Sequence, residues 1–279
     1  MAAAMLELAP AVETPGPVVD TCGTGGDRAG TINVSTMAAI VAAGAGAVVA
    51  KHGNRAASSQ CGSADLLEAL GVKVALDPDG VSRCLHEAGI GFMFAPVFHA
   101  AMAHAGGPRK EMGIPTVFNF LGPLSNPARP TSQVVGVSNE AMLPVMAGVL
   151  AERGTRGYLF RGSDGLDELT TTGPSTVFET REGKLESYEL DPASLGVPRA
   201  SVEDLVGGDP EHNAGVVTGL LVGDPGPARD IVVVNTGLAL SAWGEEINLE
   251  EGMAMAVESI DSGKAGAVLS RWVEVSNSV

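Results

Sequence analysis

Residues 18–36 read VVDTCGTGGDRAGTINVST, and this stretch decides which fold we expect. Its first three residues predict a short β-strand. Ser35 or Thr36 can cap a helix that continues to Ala43. A strand, a polar loop and a helix in this order form the repeating unit of α/β domains, so the stretch predicts that fold class.

The loop between that strand and helix has the features of a phosphate-binding loop. Gly23, Gly25 and Gly26 allow positive φ and a close approach of the backbone to a ligand. The start of the helix directs unpaired N–H groups and the positive end of its dipole at the same space. The Walker pattern GxxxxGK[ST] is absent, and Arg28 replaces the last glycine of a Rossmann GxGxxG. The surrounding Asp, Asn, Ser and Thr residues favour phosphate binding over a purely structural turn.

Outside this stretch, β-branched runs alternate with helix-length segments rich in Ala and Leu. A Glu-Gly turn between residues 177–180 and 185–189 predicts an antiparallel hairpin. A capping box, Asn248 with Glu251, predicts the start of a helix that ends at Ile260. The remaining predicted strands are residues 48–50, 72–75, 91–94, 133–137 and 157–160, and the remaining helices are residues 63–70, 77–88, 139–152 and 265–275.

Composition excludes several classes of protein. The 279 residues are 45% hydrophobic with a mean hydropathy of +0.20, which argues against disorder. Lys and Arg number 17 against 33 Asp and Glu, and this net charge of -16 disfavours nucleic acid and anionic membranes as partners. The longest apolar run, residues 37–50, is too short to span a bilayer, and no basic residue precedes Arg28 as a signal peptide would require. Cys22, Cys61 and Cys84 lack CxxC spacing, which predicts reduced thiols in a cytoplasmic protein.

A second polar segment, residues 51–59 (KHGNRAASS), follows the next predicted strand. Lys51, His52 and Arg55 are potentially cationic groups that suit a phosphoryl or pyrophosphate ligand, although a solvated turn is the alternative. Ligands of open α/β sheets bind at the carboxyl ends of strands. The segment therefore predicts an anion site, and Ser63 at the start of the following helix extends it.

Residues 164–168 (DGLDE) form an acidic turn after the strand that ends at Phe160. Asp167 and Glu168 can hold one cation or bridge two, and Mg²⁺ prefers a few carboxylates together with water and phosphate oxygens. An acidic turn by itself is usually only solvated. Beside two predicted phosphate segments, this turn predicts a magnesium site, to which Ser35 could add a hydroxyl.

Residues 108–111 (PRKE) precede a segment rich in glycine and proline. Arg109 can bind a carboxylate through two parallel hydrogen bonds, although many surface arginines bind nothing. Residues 119–127 contain two prolines and a glycine, which predicts a rigid loop that shapes the wall of a cleft.

In these segments the sequence resembles the anthranilate phosphoribosyltransferases, the tryptophan-pathway members of the nucleoside phosphorylase-like phosphoribosyltransferases. GTGGD, NVST, KHGNRAASS, GSAD, GIPTVFNFLGPLSNP and DGLDE occur in the family's order. The resemblance implies transfer of the phosphoribosyl group of 5-phosphoribosyl 1-pyrophosphate (PRPP) to the amine of anthranilate, with release of pyrophosphate and a pair of Mg²⁺ ions. It also implies a mainly parallel sheet wrapped by helices, in a homodimer.

Site residues follow from the resemblance motif by motif, and no residue is assigned as a catalytic acid or base. Charge on the leaving group and in the transition state makes metal and amide electrostatics more important than a nucleophile. The resemblance implies that Gly23, Asn54 and Arg109 bind anthranilate. It implies that Ser35, Asp167 and Glu168 bind Mg²⁺. Those implied for PRPP are Gly23, Gly26, Asp27, Thr31, Asn33, Val34, Ser35, Thr36, Lys51, His52, Gly53, Asn54, Arg55, Ala56, Ala57, Ser58, Ser59 and Ser63.

The sequence departs from the family in two places. Arg28 follows GTGGD where a glycine is usual, which should change loop mobility near the pyrophosphate. The family begins with a small helical domain, whereas only residues 1–14 precede the first predicted strand; a misassigned start codon, a gene fragment or a genuine short form would each give this pattern. We expect residues 1–16 to be a remnant of that domain and a hinge, and residues 17–279 to be the catalytic α/β domain. Dimerisation is left open.

Two other functions remain as alternatives. A relative of the pyrimidine-nucleoside phosphorylases would use inorganic phosphate and a nucleobase, but KHGN and the acidic pair favour the transferase. A non-catalytic relative would bind phosphoribosyl ligands or nucleic acid, and the net charge disfavours nucleic acid. One local conflict also arises: residues 231–235 (IVVVN) read as a strand by residue type, whereas the resemblance implies a buried helix through Leu240, which we follow.

Overall fold

A computed structural model describes the chain except residues 57, 58, 113 and 115 and the side chains of residues 103, 106 and 108–110. Within the described residues, strands form a seven-stranded sheet in the order β3-β2-β1-β4-β5-β6-β7. The strands are β1 (Val19–Gly23), β2 (Val49–Gly53), β3 (Ile90–Phe94), β4 (Ser132–Gly136), β5 (Arg156–Gly162), β6 (Ser175–Arg181) and β7 (Lys184–Leu190).

Helices cover this sheet, as the resemblance implied. They are α1 (Ala2–Leu8), α2 (Val34–Gly44), α3 (Ser63–Ala69), α4 (Pro78–Ala88), α5 (Ala95–Phe98), α6 (Ala103–Met112), α7 (Phe118–Leu121), α8 (Leu143–Glu152), α9 (Pro210–Leu221), α10 (Pro227–Trp243), α11 (Leu249–Asp261) and α12 (Lys264–Asn277). Short 3₁₀ helices span Ala100–Met102, Glu140–Met142, Pro192–Leu195 and Glu203–Leu205.

The sheet is mainly parallel, which confirms the expected fold class. The five strands from β3 to β5 pair in parallel, and β6 and β7 add two antiparallel strands at one edge. The turn of this hairpin has positive φ at both Glu182 (52°) and Gly183 (75°), the conformation that matches the twist of the flanking strands. The predicted Glu-Gly hairpin is therefore confirmed.

Two apolar clusters form the core, and at β4 and β5 they lie on opposite faces of the sheet. Neighbouring residues of β4 point to opposite faces, so Val134 belongs to one cluster and Val135 to the other. The first cluster contains α2, α10 and α12, and the second contains α7, α8 and part of α1. Helices on both faces are what a parallel sheet requires, because its strands are apolar on both sides.

The conflict over residues 231–235 resolves in favour of the helix. Every residue from Ile231 to Ala242 in α10 is buried, so the β-branched run is explained by burial on all sides of a helix. Pro227 at the first turn is compatible with a helix start, because its missing N–H would have no partner there.

Three local predictions were wrong. Residues 72–75 form no strand, because the Lys73 N–H donates to Ser276 Oγ (3.1 Å) and the segment packs on α12. The predicted rigid loop 119–127 begins instead within α7. Helix α2 begins at Val34, one residue before the expected caps, with Asn33 as the residue that precedes it.

Residues near the N-terminus pack onto the second cluster. Ala2 is buried, and Met5 contacts the cluster while Leu8 is exposed. The boundary expected near residue 16 stays a prediction. Among the described residues, no helix combines the length and the apolar character needed to cross a bilayer.

Candidate active site

A cavity of about 780 Å³ opens at the carboxyl ends of the central parallel strands. The glycine-rich loop after β1, the loop after β2, the start of α7 and the turn after β5 line it. Strands β2 and β4 lie on opposite sides of β1, so the strand order reverses beside this cavity. Ligands of open α/β sheets bind at such a reversal, which makes this cavity the candidate active site.

The glycine-rich loop is fixed at one end and open at its tip. The Thr24 N–H donates to the Gly136 carbonyl (2.9 Å), and the Ser138 hydroxyl donates to the Gly25 carbonyl (2.7 Å). Gly25 and Gly26 have φ of 66° and 87°, which L side chains adopt only with strain. The loop thus presents bare backbone to the cavity, as its sequence predicted.

The acidic turn lies against this loop. The Gly25 N–H donates to Asp167 Oδ2 at 2.7 Å. A Cβ at Gly23 would collide with the Asp167 carboxylate, and one at Gly136 would overlap the Asp167 carbonyl oxygen. Glycine at both positions therefore lets the turn approach the ends of β1 and β4.

Burial leaves the two carboxylates of this turn poorly stabilised as anions. Burial, and secondarily the Asp27 carboxylate, raise the pKa of Asp167 to about 7. Burial, and secondarily Asp167, raise the pKa of Glu168 well above its usual value, while Lys51 and the Ser35 N–H oppose this. A divalent cation would remove this penalty, so the electrostatics of the pair fit a metal site.

The donor set also fits Mg²⁺. Asp167 and Glu168 supply carboxylate oxygens, and the backbone bond from Ser35 brings the start of α2 next to Glu168. In the part of the chain that the structure describes, no group of three or more His, Cys, Asp and Glu forms a metal site. Mg²⁺ commonly uses one or two protein carboxylates and takes its other ligands from water and phosphates.

The predicted cationic segment has a more specific arrangement than its composition suggested. Lys51 is buried, and its Nζ donates to the Thr21 carbonyl (2.5 Å) and to Ser35 Oγ (3.3 Å). Burial lowers the pKa of Lys51, and the nearby Asp20 carboxylate opposes this shift. Lys51 thus lies below the cavity and ties β2 to the first turn of α2.

His52 and Arg55 are not free cations. Burial, and secondarily His99, lower the pKa of His52 to about 3, so the ring is neutral at physiological pH. Arg55 donates to both carboxylate oxygens of Glu68 (2.6 and 2.7 Å) and to Asp65 (2.9 Å). The expected cluster of three cationic groups is therefore reduced to Lys51, with Arg55 paired to the acids of α3.

Most residues predicted for the site meet in this cavity. Val34 does not line it, because its side chain is buried in the core and its N–H donates to the Ile32 carbonyl. Ala57 and Ser58 lie outside the described residues, and Arg109 lies in α6 with its side chain outside them. The predicted residues that line the cavity are Gly23, Gly26, Asp27, Thr31, Asn33, Ser35, Thr36, Lys51, His52, Gly53, Asn54, Arg55, Ala56, Ser59, Ser63, Asp167 and Glu168.

Other residues line the cavity without having been predicted. Thr24 belongs to the GTGGD motif, so that motif was the available signal; Gly25 of the same motif was predicted as a loop glycine but was not assigned to a ligand. Phe118 and Asn119 come from α7, and Asn119 lies in the segment predicted to shape the cleft wall. Arg28 also lines the cavity and has a left-handed φ of 61°.

Comparisons with known proteins agree with this geometry. The sequence model of the "Glycosyl transferase family, a/b domain" matches residues 15–266. The anthranilate phosphoribosyltransferase of Arthrobacter sp. (strain FB24) is 56% identical over 97% of this chain and 78% of that protein. The chain belongs to the anthranilate phosphoribosyltransferase family. This confirms the resemblance and the enzyme class expected from the sequence.

Solved structures support the same assignment. The anthranilate phosphoribosyltransferase of Thermus thermophilus superposes with a TM-score of 0.93 at 46% identity, covering 99% of this chain and 83% of that chain. The enzyme from Saccharomyces cerevisiae, solved in complex with PRPP and Mg, gives a TM-score of 0.91 at 33% identity and covers 100% of this chain and 79% of that chain. Another structure of the yeast enzyme contains 4-fluoroanthranilate.

Proposed function

We propose that this chain transfers the phosphoribosyl group of PRPP to the amine of anthranilate in the cavity described above. Family membership supports the reaction, and the ligands named for the yeast enzyme support both substrates. The observation that carries the proposal is the contact between the acidic turn and the glycine-rich loop, where the Gly25 N–H donates to Asp167 Oδ2 (2.7 Å). This contact joins the proposed metal-binding pair to the proposed phosphate-binding loop, which supports the proposal.

In the reaction, the bond from the ribose anomeric carbon to pyrophosphate breaks and a bond to the anthranilate nitrogen forms. The amine loses one proton to solvent, and pyrophosphate leaves with the bonding electron pair. The glycine-rich loop and the start of α2 would hold the phosphates through backbone N–H groups and the helix dipole. We assign no general base, since a neutral aromatic amine is already nucleophilic.

Asp167, Glu168 and Ser35 would hold Mg²⁺, and we propose two ions. When bound, Mg²⁺ neutralises charge on the departing pyrophosphate. Lys51 donates to Ser35 Oγ and so orients that hydroxyl from below. The acidic pair and the buried lysine together set the charge at the floor of the cavity.

Anthranilate binding is proposed for Gly23, Asn54 and Arg109. An arginine can bind the anthranilate carboxylate through two parallel hydrogen bonds. The Asn54 carbonyl accepts from Ser63 Oγ (3.1 Å) and from the Ala64 N–H (3.2 Å), which fixes the loop after β2 against α3. The homodimer and the cytoplasmic location stay predictions.

The test of this function is the double variant Asp167→Asn with Glu168→Gln. We expect it to fold but to lose turnover of PRPP and anthranilate, measured by the loss of anthranilate fluorescence at several Mg²⁺ concentrations. A charge-matched control is Glu245→Gln with Glu246→Gln, an exposed acidic pair outside the cavity. Full activity of the first variant at low Mg²⁺ would contradict the proposal.

A further inference from the structure

A buried asparagine in α10 is bonded to the acidic turn. Asn235 is only 3% exposed in an otherwise largely apolar stretch of that helix. Its Oδ1 accepts from the Leu169 N–H (3.1 Å), and its Nδ2 donates to the Leu169 carbonyl (3.0 Å) and to the Ile231 carbonyl (2.8 Å). A buried amide is costly unless its polar atoms are bonded, and this one makes three bonds.

The two bonds to Leu169 fix the turn in a specific way. One side-chain amide binds both the N–H and the C=O of the same residue, which restricts the position and the orientation of that peptide unit. Leu169 directly follows Asp167 and Glu168 in the chain. The side chains of Leu166 and Leu169, 2% and 0% exposed, flank the pair and lie in the core. The amide of Asn235 therefore acts on the backbone that carries both carboxylates.

The opposite end of the turn is held separately. Asp164 accepts from the Leu166 N–H (3.0 Å) and from the hydroxyls of Thr170 (2.6 Å) and Thr172 (2.5 Å). This network lies within the turn and its neighbouring residues, whereas Asn235 connects the turn to a different element of the fold. The Gly25 N–H and the Gly162 N–H join the turn to the glycine-rich loop and to β5, and the amide of Asn235 joins it to α10 on the residue directly after the acidic pair.

We propose that Asn235 is a positioning residue for Asp167 and Glu168, the proposed magnesium ligands, which it holds in place through the backbone of Leu169. This rests on the proposed function. Residues that orient metal ligands from behind typically change metal affinity by about 10-fold to 100-fold when they are removed. The effect of Asn235 should therefore appear in metal affinity and less in the binding of anthranilate.

The test compares Asn235→Leu with Thr236→Val. Leucine keeps the branched shape of asparagine with a larger volume, and it leaves the Leu169 N–H and C=O without their partners. Thr236 is the adjacent buried residue of α10, and among the described residues its hydroxyl has no hydrogen-bond partner. The control thus perturbs the same helix without touching the acidic turn.

Mn²⁺ in the presence of pyrophosphate serves as the metal probe, titrated by electron paramagnetic resonance, with thermal unfolding followed in parallel. We expect Asn235→Leu to weaken Mn²⁺ binding by at least about 10-fold. Thr236→Val should keep the wild-type Mn²⁺ affinity. In steady-state assays, Asn235→Leu should raise the Mg²⁺ concentration needed for half-maximal rate and should recover at high Mg²⁺, with an unchanged KM for anthranilate.

Equal Mn²⁺ affinity in Asn235→Leu and wild type would overturn the proposal, as would an equal loss in Thr236→Val. If Asn235→Leu does not fold, Asn235→Ser provides the second variant, because its hydroxyl can bond to the Ile231 carbonyl one turn back and leaves both polar groups of Leu169 without the amide. Retention of full Mn²⁺ affinity there would also count against a turn held in place for metal. Absence of Mn²⁺ binding by the wild type would instead overturn the metal site of the proposed function, and this proposal with it.

Discussion

The two walls of the cavity are built in opposite ways. The acidic turn is held by two buried leucines, by Asp164 and by the amide of Asn235. The glycine-rich loop is exposed at Gly25 and Gly26 and is bonded mainly near its ends. A metal pair benefits from fixed geometry, whereas a loop that encloses a diphosphate has to admit it and release it. The comparison indicates that pre-organisation is concentrated at the acidic turn, where we propose the metal site.

The largest effect expected from this comparison comes from Gly136→Ala. The new Cβ would overlap the Asp167 carbonyl, so β4 or the acidic turn would have to move. Overpacking of this kind costs about 1–3 kcal/mol, and the displaced carboxylates should abolish turnover. Urea unfolding and steady-state kinetics measure the two effects.

Gly25→Ala is the matched change on the other wall. Its φ is 66° with open space around the Cβ, so the cost is about 1 kcal/mol of backbone strain without a collision. We expect a raised KM for PRPP with turnover retained. Loss of turnover in Gly25→Ala together with full activity in Gly136→Ala would reverse the comparison.

Arg109→Ala tests whether anthranilate affinity can be reduced without a change at the acidic turn or the glycine-rich loop. Loss of a bidentate contact to a carboxylate costs on the order of 2 kcal/mol, which raises the KM for anthranilate by tens of fold. PRPP affinity should be unchanged by calorimetry. Arg199→Ala, which removes an exposed partner of Asp191, is the control. The assignment fails if both substrates weaken equally or if neither does.

The buried His52 ring makes the stability of the folded protein depend on pH. Its pKa is about 3 in the folded protein against 6.5 ordinarily, so unfolding takes up a proton at intermediate pH. Its contribution to stability is therefore present above pH 6.5 and is lost as pH falls toward about 3, with a slope of about 1.4 kcal/mol per pH unit.

His52→Gln keeps a donor for the Gly122 carbonyl but cannot titrate. We expect the urea-derived stability of this variant to fall less between about pH 6.5 and pH 5 than that of the wild type, since one fewer group takes up a proton on unfolding. Identical pH slopes in the two proteins would show that the His52 ring titrates normally.

The smallest effect is expected for Arg28→Gly. Arg28 has a left-handed φ of 61°, which glycine adopts without strain. The substitution should therefore stabilise the protein by about 1 kcal/mol. The same change removes a cation from the cavity lining, so the KM for PRPP should rise modestly, and less so at high salt. An unchanged KM at low salt would show that this arginine does not contact the diphosphate.

Local signals in the sequence predicted much of the fold. The Asn248 and Glu251 capping box, the Glu-Gly hairpin and the loop between β1 and α2 each depend on neighbouring residues, and each is present. The site motifs GTGGD, KHGN and DGLDE are also local. Each can therefore be recognised in the sequence without knowledge of the cavity that they line.

Features that depend on distant contacts could not be predicted. Residues 72–75 alternate like a strand, but the bond from the Lys73 N–H to Ser276, 203 residues away in the chain, places them against α12. The pairing of Arg55 with Glu68 and Asp65 and the neutral state of His52 likewise require tertiary neighbours. Nothing in the run IVVVN indicates that Asn235 bonds to the acidic turn. Helix α9 is a different case: it was not predicted from the sequence, although Asp209 and Pro210 form an ordinary helix start.

The most direct test of the account is calorimetry of PRPP binding with and without Mg²⁺, applied to the wild type and to Asp167→Asn with Glu168→Gln. The central claim is that these two carboxylates hold the metal that accompanies the diphosphate. We expect Mg²⁺ to strengthen PRPP binding to the wild type, because the ion would offset repulsion between the diphosphate and the acidic pair, and to leave binding to the double variant unchanged. An equal gain from Mg²⁺ in both proteins would contradict the claim.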